Sequence, residues 1–155
     1  MTSVINPGFE EGLTGWTPEP NVSEEANIYS VLADPALAHT GNGVLCWNGE
    51  QLAAGYSPGL HTDCQSSEFT IPGGHTATVS AWVRVVRADI SELSGGGIYC
   101  RNYDAGGRLV DETGKNSVHA FQQTTDSGWQ KVTVELPHDP RISKQIGRAS
   151  CRERV

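Results

Sequence analysis

Apolar and polar residues alternate along several short segments of this chain, as they do in half-buried β-strands. The clearest case is residues 76–86, where small apolar side chains occupy every second position from Ala77 to Val85. Shorter strand-like runs cover residues 44–47, 67–71, 98–103, 108–111 and 129–136. Gly, Pro, Asn and Asp bound these runs, and stretches with helical periodicity are almost absent. The pattern therefore predicts an all-β fold of antiparallel strands.

Two kinds of connection separate the predicted strands. Pro72-Gly73-Gly74 is typical of a tight turn, because Pro fixes φ and Gly supplies positive φ, so we expect the segments on either side to pair antiparallel. Residues 48–63 and 113–127 are predicted to be long loops, and the second stretch is rich in Thr, Asn, Ser, Gln and Asp. Long loops on a rigid scaffold commonly carry function.

Composition and charge exclude several partners. The 155 residues suit one domain, and 18 Gly and 8 Pro with only 19% charged residues fit a turn-rich sheet protein. The net charge of -7 comes without a basic stripe, so we expect no nucleic-acid or anionic membrane partner. No apolar run approaches the ~20 residues that a membrane helix needs.

Residues 146–155 read IGRASCRERV and break the pattern of the rest of the chain. The segment shows no strand alternation and carries Arg148, Arg152 and Arg154 against Glu153 alone. It resembles the in-frame translation of a short-read sequencing adapter; the alternative is a genuine basic, disordered tail. We therefore predict a domain over residues 1–145 with its closing strands missing, followed by an adapter-derived tail at 146–155 whose deletion leaves thermal stability unchanged.

Five sequence blocks occur in a fixed order along the domain. They are Asn6-Pro7-Gly8-Phe9-Glu10-x-Gly12-x-x-Gly15-Trp16, then HTGNGVL at 39–45, FTIPGG at 69–74, VSAWVR at 79–84 and GWQKV at 128–132. This set resembles the carbohydrate-binding-module superfamily of families four, nine and twenty-two. The chain departs from the family pattern at Ala77, where relatives often carry Tyr, and it lacks their closing Asp-Asp-Val strand.

The resemblance implies a jelly-roll β-sandwich that binds a polysaccharide or oligosaccharide without catalysis. Such a module is expected to be monomeric and to belong to a larger secreted glycoside-active or cell-surface protein. The alternative is a structural or adhesion domain of the same fold, from a phage tail or surface protein, without sugar binding. No nucleophile elbow, zinc-protease motif or phosphate-binding loop occurs in the sequence, so no enzymatic activity is expected.

The expected location is secreted or at the cell surface, although the sequence does not begin as an exported chain does. The first residues enter a strand-like pattern at once and carry no signal peptide with a basic start and an apolar centre. Either export is directed elsewhere, or Met1 is not the natural beginning.

Candidate ligand-binding residues follow from the chemistry of sugar recognition, which needs flat rings to stack on pyranose faces and polar groups to bond the hydroxyls. On the 76–86 strand, alternation places Trp82 and Arg84 on the polar face and Ala81 in the core. The pattern favours Trp82 as the principal stacking residue. The alternative is that a neighbouring loop covers this ring.

The same parity applies to residues 98–103. It turns Ile98 and Cys100 inward and places outward the side chains of Tyr99, Arg101 and Tyr103. If this strand lies beside the 76–86 strand, the outward residues share a patch with Trp82; a core or loop-packing role for the tyrosines is equally open. Weaker candidates are Trp47, at a strand end, and Gln122, in the second loop. Trp16 and Trp129 are predicted to be core residues.

The resemblance also implies a structural calcium ion. In similar modules the position of Glu10 helps to bind it, together with oxygens of the loop that holds Thr40 and Asn42 and an Asp on the closing strand. The alternative is a surface Glu that stabilises a turn.

The cysteines give one further hypothesis. Cys46 and Cys64 could form a disulfide across the first loop, since paired cysteines are common in exported proteins. Cys100 is expected to be a small buried apolar residue.

Overall fold

Nine β-strands make up the part of the chain that the computed structural model describes, which is residues 3–19, 29–47, 61–72, 75–84, 95–118, 126, 128–136 and 138–152. They are β1 (Trp16–Glu19), β2 (Tyr29–Ala33), β3 (Gly43–Trp47), β4 (His61–Phe69), β5 (Ala77–Val83), β6 (Gly95–Tyr103), β7 (Leu109–Val118), β8 (Gln130–Leu136) and β9 (Lys144–Arg152). Every strand pair is antiparallel. Among these residues no helix is long and apolar enough to cross a lipid bilayer. The predicted all-β class is confirmed.

Five strands form one sheet in the order β1-β4-β9-β6-β7. Cys64 of β4 lies opposite Ala149 of β9, and Ala149 lies opposite Ile98 of β6. Residues in register point to the same side of a sheet, so these side chains share one face. Cys100 lies on this face too, two residues after Ile98, and both Cys64 and Cys100 are almost fully buried. This is the inner face of the sheet.

Two two-stranded sheets, β5 with β8 and β2 with β3, cover that inner face. Val134 of β8 packs in one apolar cluster with Phe69 and Cys100 of the larger sheet. Tyr29 of β2 packs in a second cluster with Cys64. The molecule is therefore a two-layer antiparallel β-sandwich, and the predicted jelly-roll sandwich is confirmed at that level.

The alternation predicted for β5 is present in the structure. Exposure along Ala77–Val83 alternates strictly between half-buried and exposed side chains. Val79 faces the core opposite Val134, whereas Trp82 points outward opposite Lys131. Because the register matches apolar with apolar positions on the inner side, the outer side of this two-stranded sheet collects the polar residues and Trp82.

The turn at Pro72 joins the two layers rather than two neighbouring strands. His75 donates its backbone N–H to the carbonyl oxygen of Pro72 at 3.2 Å, as expected for a tight turn. However, β4 pairs with β1 and β9, and β5 pairs with β8. The prediction that the flanking segments pair antiparallel is therefore wrong, because the chain crosses from one sheet to the other at this point.

The second predicted loop begins later than expected. Strand β7 continues to Val118 and pairs with β6, although residues 113–118 are polar and were predicted to be loop. Main-chain pairing with β6 extends this strand whatever its side chains are, since strand hydrogen bonds use only backbone groups. β4 likewise starts within the first predicted loop, at His61.

The segment predicted to lie outside the fold contributes an interior strand. β9 runs from Lys144 to Arg152 and pairs with β4 on one side and β6 on the other. The N–H of Gly147 also donates to the hydroxyl of Ser66 at 2.9 Å. The expectation of no strand after residue 145 is wrong, because two neighbouring strands supply backbone partners that the segment's side-chain pattern does not reveal. The adapter origin of residues 146–155, and the absence of closing strands, stay predictions.

The cysteines do not form the proposed bridge. Cys46 and Cys64 are both free thiols, so the disulfide hypothesis is wrong. Cys64 fills the core between the layers, where it is 0% exposed. Cys100 is buried as predicted, and desolvation raises the pKa of its thiol to about 11.

Deleting residues 146–155 tests the interior position of β9. The deletion removes the strand that joins β4 to β6, so the expectation from the sequence that stability is unchanged is replaced by its opposite. We expect the melting temperature to fall by more than about 10 °C or cooperative unfolding to be lost. Deletion of residues 153–155 alone is the matched control and leaves the strand intact. Circular dichroism melting curves measure both variants. Equal melting temperatures for all three proteins would show that β9 does not pack as described.

Candidate functional site

Trp82 is the one aromatic among the exposed large apolar side chains of the described residues. It is 46% exposed and stands on the outer face of β5, opposite Lys131. The next outward pair along the two strands is Ser80 opposite Thr133. A large ring thus stands among hydroxyl and ammonium groups, which confirms the predicted polar face.

Two further rings stand beside Trp82. The imidazole of His39 stacks on the indole with ring centroids 4.0 Å apart and an angle of 15° between the planes. The ring of Trp129 meets His39 edge to face at 5.6 Å. Trp82, His39 and Trp129 form what we call the aromatic cluster. The alternative that a neighbouring loop covers Trp82 therefore holds for one side of the ring, while 46% of the residue remains open.

His39 is presented by the connection between β2 and β3. Its first half is a turn built on Asp34, whose carbonyl oxygen accepts the N–H groups of Leu37 at 3.1 Å and Ala38 at 2.9 Å. The Asp34 side chain also accepts the N–H of Ala36 at 2.9 Å. Asp is suited to this position because its carboxylate satisfies a backbone donor two residues later.

Glu10 holds the second half of the same connection. One carboxylate oxygen, Oε1, accepts the N–H of Asn42 at 2.8 Å and that of Gly43 at 3.1 Å. These two hydrogen bonds, led by the one from Asn42, lower the pKa of the Glu10 carboxyl, and the carboxylate stays ionised at neutral pH. Glu10 thus joins the N-terminal turn to the loop before β3, an interaction that we call the Glu10 clamp.

The N-terminal turn that presents Glu10 is organised by Asn6. The Asn6 amide donates to the carbonyl oxygens of Gly12 at 2.9 Å and Thr14 at 3.2 Å, and its oxygen accepts the N–H of Glu11 at 3.2 Å. Phe9 takes a positive φ of 58° directly before Glu10. These contacts give Asn6 and Phe9 of the first sequence block defined structural roles in the turn. Trp16 closes this turn and packs against the core as predicted, with its Nε1 donating to the Asn6 carbonyl oxygen at 3.0 Å.

The donors around Glu10 do not form the oxygen cage that calcium requires. Ca²⁺ takes six to eight oxygen ligands at about 2.3–2.6 Å, but the contacts to Oε1 of Glu10 are N–H groups. Thr40 and Asn42 are exposed. Within the described ranges, no three His, Cys, Asp or Glu side chains converge on a metal position. The residues therefore fit the alternative role, a Glu that stabilises a turn, and calcium binding stays a prediction.

Arg84 forms an ion pair instead of standing free on the outer face. Its guanidinium bonds both carboxylate oxygens of Asp126, with Nε at 2.9 Å and 3.1 Å, and Nη2 contacts Oδ2. Asp126 also accepts the N–H of Gly128 at 2.9 Å. Arg84, followed by Gly128, lowers the pKa of Asp126 to about 2. The pair anchors the turn that leads directly into Trp129.

The β6 candidates lie on the other side of the molecule from Trp82. The predicted inward positions of Ile98 and Cys100 are correct, and the alternate residues lie on the other face of the five-stranded sheet, where Tyr99 is nevertheless buried. However, β6 belongs to the five-stranded sheet and does not pair with β5. The outward residues, which are Tyr99, Arg101 and Tyr103, therefore point away from the second layer. The condition for a patch shared with Trp82, that this strand lies beside β5, is therefore not met, since about 10 Å separates two packed sheets.

The burial of these three side chains further argues against a ligand-binding role for them. Tyr99 is only 8% exposed, and Arg101 and Tyr103 are half-buried. The ammonium of Lys144 lies 5.8 Å from the Tyr103 ring centroid and bonds Glu68 at 2.7 Å. The alternative of a packing role for the tyrosines fits these contacts better than a ligand-binding role.

The remaining residues singled out in the sequence are Trp47, Gln122 and Trp129. Trp47 is half-buried and packs with Tyr29 and Cys64 between the layers. Gln122 lies outside the described residues. Trp129, predicted to be core, is only half-buried and reaches the aromatic cluster.

The sequence pattern did not point to His39, Lys131 or Asp126 as site residues. His39 reaches Trp82 from a loop more than forty positions away in the chain. Asp126 approaches Arg84 across a similar separation. One signal was present, because Trp129 immediately precedes β8 and Lys131 is the second residue of that strand, whose alternation matches that of β5. Pairing that strand with β5 would have placed Lys131 beside Trp82.

Comparison with known proteins yields structural likenesses alone. No family model matches the chain, and no curated protein sequence matches it. The chain is similar to the CBM22-1 xylan-binding domain of Xyn10C from Paenibacillus barcinonensis, with 15% identity, a TM-score of 0.49, and coverage of 90% of this chain and 82% of that one. It is also similar to the C-terminal family 22 carbohydrate-binding module of Clostridium thermocellum Xyn10B, with 15% identity, a TM-score of 0.38, and coverage of 95% and 91%. The likeness to these two family 22 modules extends over most of the chain.

The Arg84 and Asp126 pair predicts a pH dependence of stability. The folded pKa of Asp126, about 2, lies below the ordinary Asp value of about 3.9, so the pair stabilises the fold above about pH 4 and loses this effect as the pH falls toward 2. Arg84→Gln should therefore lower the free energy of unfolding slightly at neutral pH, and the difference from wild type should narrow between pH ~4 and ~2. Urea titrations across this pH range measure it.

Arg141→Gln provides a matched control for that variant. Arg141 bonds Asp139 and, more than any other group, lowers the pKa of that carboxyl to about 2, but it lies away from the aromatic cluster. In both variants the difference from wild type in the free energy of unfolding should narrow between pH ~4 and ~2. Only Arg84→Gln should change the tryptophan emission, through Trp129. A stability difference that stays constant down to low pH would contradict the role of Arg84.

Proposed function

We propose that this chain is a non-catalytic carbohydrate-binding module in which the open side of the Trp82 ring stacks on a sugar residue. The observation that carries the proposal is the exposure of this indole, 46%, on a strand whose other face is core. Together with the neighbouring His39 and Trp129 rings, this indole forms an exposed apolar patch beside polar side chains, and such a patch is typical of a ligand-binding surface. The flat apolar face of a pyranose ring matches an indole.

The groups around Trp82 suit a sugar ligand. Ser80 and Thr133 present hydroxyls on the same outer face, and Lys131 lies directly opposite Trp82. Hydroxyls both donate and accept hydrogen bonds, and an ammonium donates three, so together they can satisfy sugar hydroxyls at the edge of a stacked ring. Trp129 and His39 extend the apolar surface beside these polar groups.

The acidic residues support a non-catalytic role. A glycoside hydrolase needs a carboxylic acid whose pKa is raised, so that it can donate a proton near neutral pH. Among the described carboxyls whose pKa is shifted, the shifts run in the opposite direction, because backbone N–H groups or Arg lower the pKa values of Glu10, Asp104, Asp126 and Asp139. These four carboxylates stabilise turns. The proposed role is therefore attachment of a larger protein to polysaccharide.

That role places the parent protein where polysaccharide is found. The proposed setting is a secreted or cell-surface protein that carries this module as a monomeric unit, next to a glycoside-active domain. Stacking on a short oligosaccharide by one principal ring implies an affinity between about micromolar and millimolar per site.

Trp82→Ala tests the proposed platform. Removing the ring leaves the inner row of β5 untouched, so we expect folding to survive and affinity for the bound polysaccharide to fall by roughly ten- to a hundredfold. Affinity electrophoresis on a polysaccharide panel that includes xylan measures binding, and a melting curve of each variant measures stability. Leu109→Ala is the matched control, because Leu109 is 50% exposed but lies on β7 of the other sheet.

The two measurements distinguish the proposal from its rivals. Retention unchanged in Trp82→Ala, with wild-type protein retained, would show that another surface binds the sugar. A collapsed melting curve, corresponding to a loss of about 3–5 kcal/mol, would show that Trp82 is a packing residue. Wild-type protein that no polysaccharide retains would favour a structural or adhesion domain of the same fold.

A further inference from the structure

The Glu10 clamp and the aromatic cluster are connected by a very short stretch of chain. Glu10 bonds the N–H groups of Asn42 and Gly43, and His39 stacks on Trp82 three residues before Asn42. On the other side of His39, the turn at Asp34 ends with Ala38. The chain is therefore held on both sides of His39. Asp34 of the same loop holds the residues before it, and Glu10 of the N-terminal turn holds the residues after it.

Glycine residues make the clamp possible. Gly41 has a φ of +69°, and a Cβ at this position would collide with the Oε1 atom of Glu10. A Cβ at Gly43 would collide with the backbone carbonyl of Phe9. Both glycines thus allow the loop to lie directly against the N-terminal turn, which is a closer approach than any other residue type permits.

We propose that Glu10 is a positioning residue for the ligand platform: by holding the N–H groups of Asn42 and Gly43, it fixes His39 on one side of Trp82. The ring of Trp82 then has one defined orientation and one open face. A sugar can stack on the open face and cannot be enclosed between Trp82 and a second ring. The part of this inference that concerns sugar rests on the proposed function, whereas the coupling of Glu10 to His39 and Trp82 does not.

This coupling has a direct structural reason. A stacked imidazole and indole contact each other over a small area, and a loop free at one end would populate many other positions of His39. Two hydrogen bonds to an ionised carboxylate are stronger than bonds between neutral groups. Loss of the clamp therefore releases the His39 end of the loop first, and the core clusters between the two layers contain none of these loop residues.

Proton NMR of the ligand-free protein tests the coupling. Carbon-bound protons of an imidazole stacked on an indole resonate upfield of their ordinary position, and Trp82→Ala and His39→Gln identify the His39 signals. In Glu10→Ala we expect these signals to move most of the way to their ordinary position. Glu10→Gln retains an acceptor oxygen and should give an intermediate shift. All samples contain EDTA, so that a divalent cation cannot replace the donors.

Asp104→Ala is the matched control. Asp104 also holds a turn, through the N–H of Arg108 at 2.9 Å, but that turn joins β6 to β7. The His39 signals should not move in this variant. His39 signals that stay upfield in a folded Glu10→Ala protein would overturn the proposal. If Glu10→Ala does not fold, unchanged signals in Glu10→Gln overturn it equally.

Binding measurements extend the test to the ligand. Glu10→Ala and His39→Ala should each weaken retention on the polysaccharide that binds the wild type by about three- to tenfold, and the double variant should be no weaker than the worse single variant. Losses of affinity that add up in the double variant would overturn the proposal that Glu10 acts on the ligand through His39. A wild-type protein that binds no polysaccharide would contradict the proposed function. The NMR measurement would still decide whether Glu10 is coupled to His39.

Discussion

The register between β5 and β8 is the constraint on which both the core and the candidate site depend. It pairs Val79 with Val134 on the inner side and Trp82 with Lys131 on the outer side. A shift of one residue would exchange the faces, placing an indole in the core and valines in water. The buried cluster of Val134 with Phe69 and Cys100 therefore holds the platform in place from the opposite side of the same strands.

Hydrogen bonds from backbone N–H groups to acidic side chains fix the loops that reach this platform. Asp34 and Glu10 hold the two ends of the connection that carries His39, and Asp126 anchors the turn that leads to Trp129. In each case the carboxylate accepts backbone N–H groups that would otherwise lack a partner at a turn. The excess of acidic over basic residues in this chain thus has a structural use, and it does not imply a cationic partner.

Backbone pairing, rather than side-chain chemistry, explains the strands that alternation failed to indicate. β9 lies between β4 and β6 and satisfies backbone groups of both. Its residues include Gln145, whose side chain is buried next to Asn102 on the inner face, and Gly147, whose backbone lies close to Ser66. A strand with neighbours on both sides needs only to avoid proline and to fit the space above it, so strong alternation is not required of it.

Elements that depend on local pattern can be predicted from the amino-acid sequence. The period of two along β5 predicted which of its residues are core and which face outward, including Trp82, and the parity of β6 correctly turned Cys100 inward. The neighbours of each strand become known from the folded structure. This structure separated Tyr99 from Trp82 by a full layer, gave β9 its interior position and brought His39 onto Trp82. The reason is physical: side-chain alternation is a property of a few consecutive residues, whereas strand order and loop contacts are set by hydrogen bonds and packing between segments far apart in the chain.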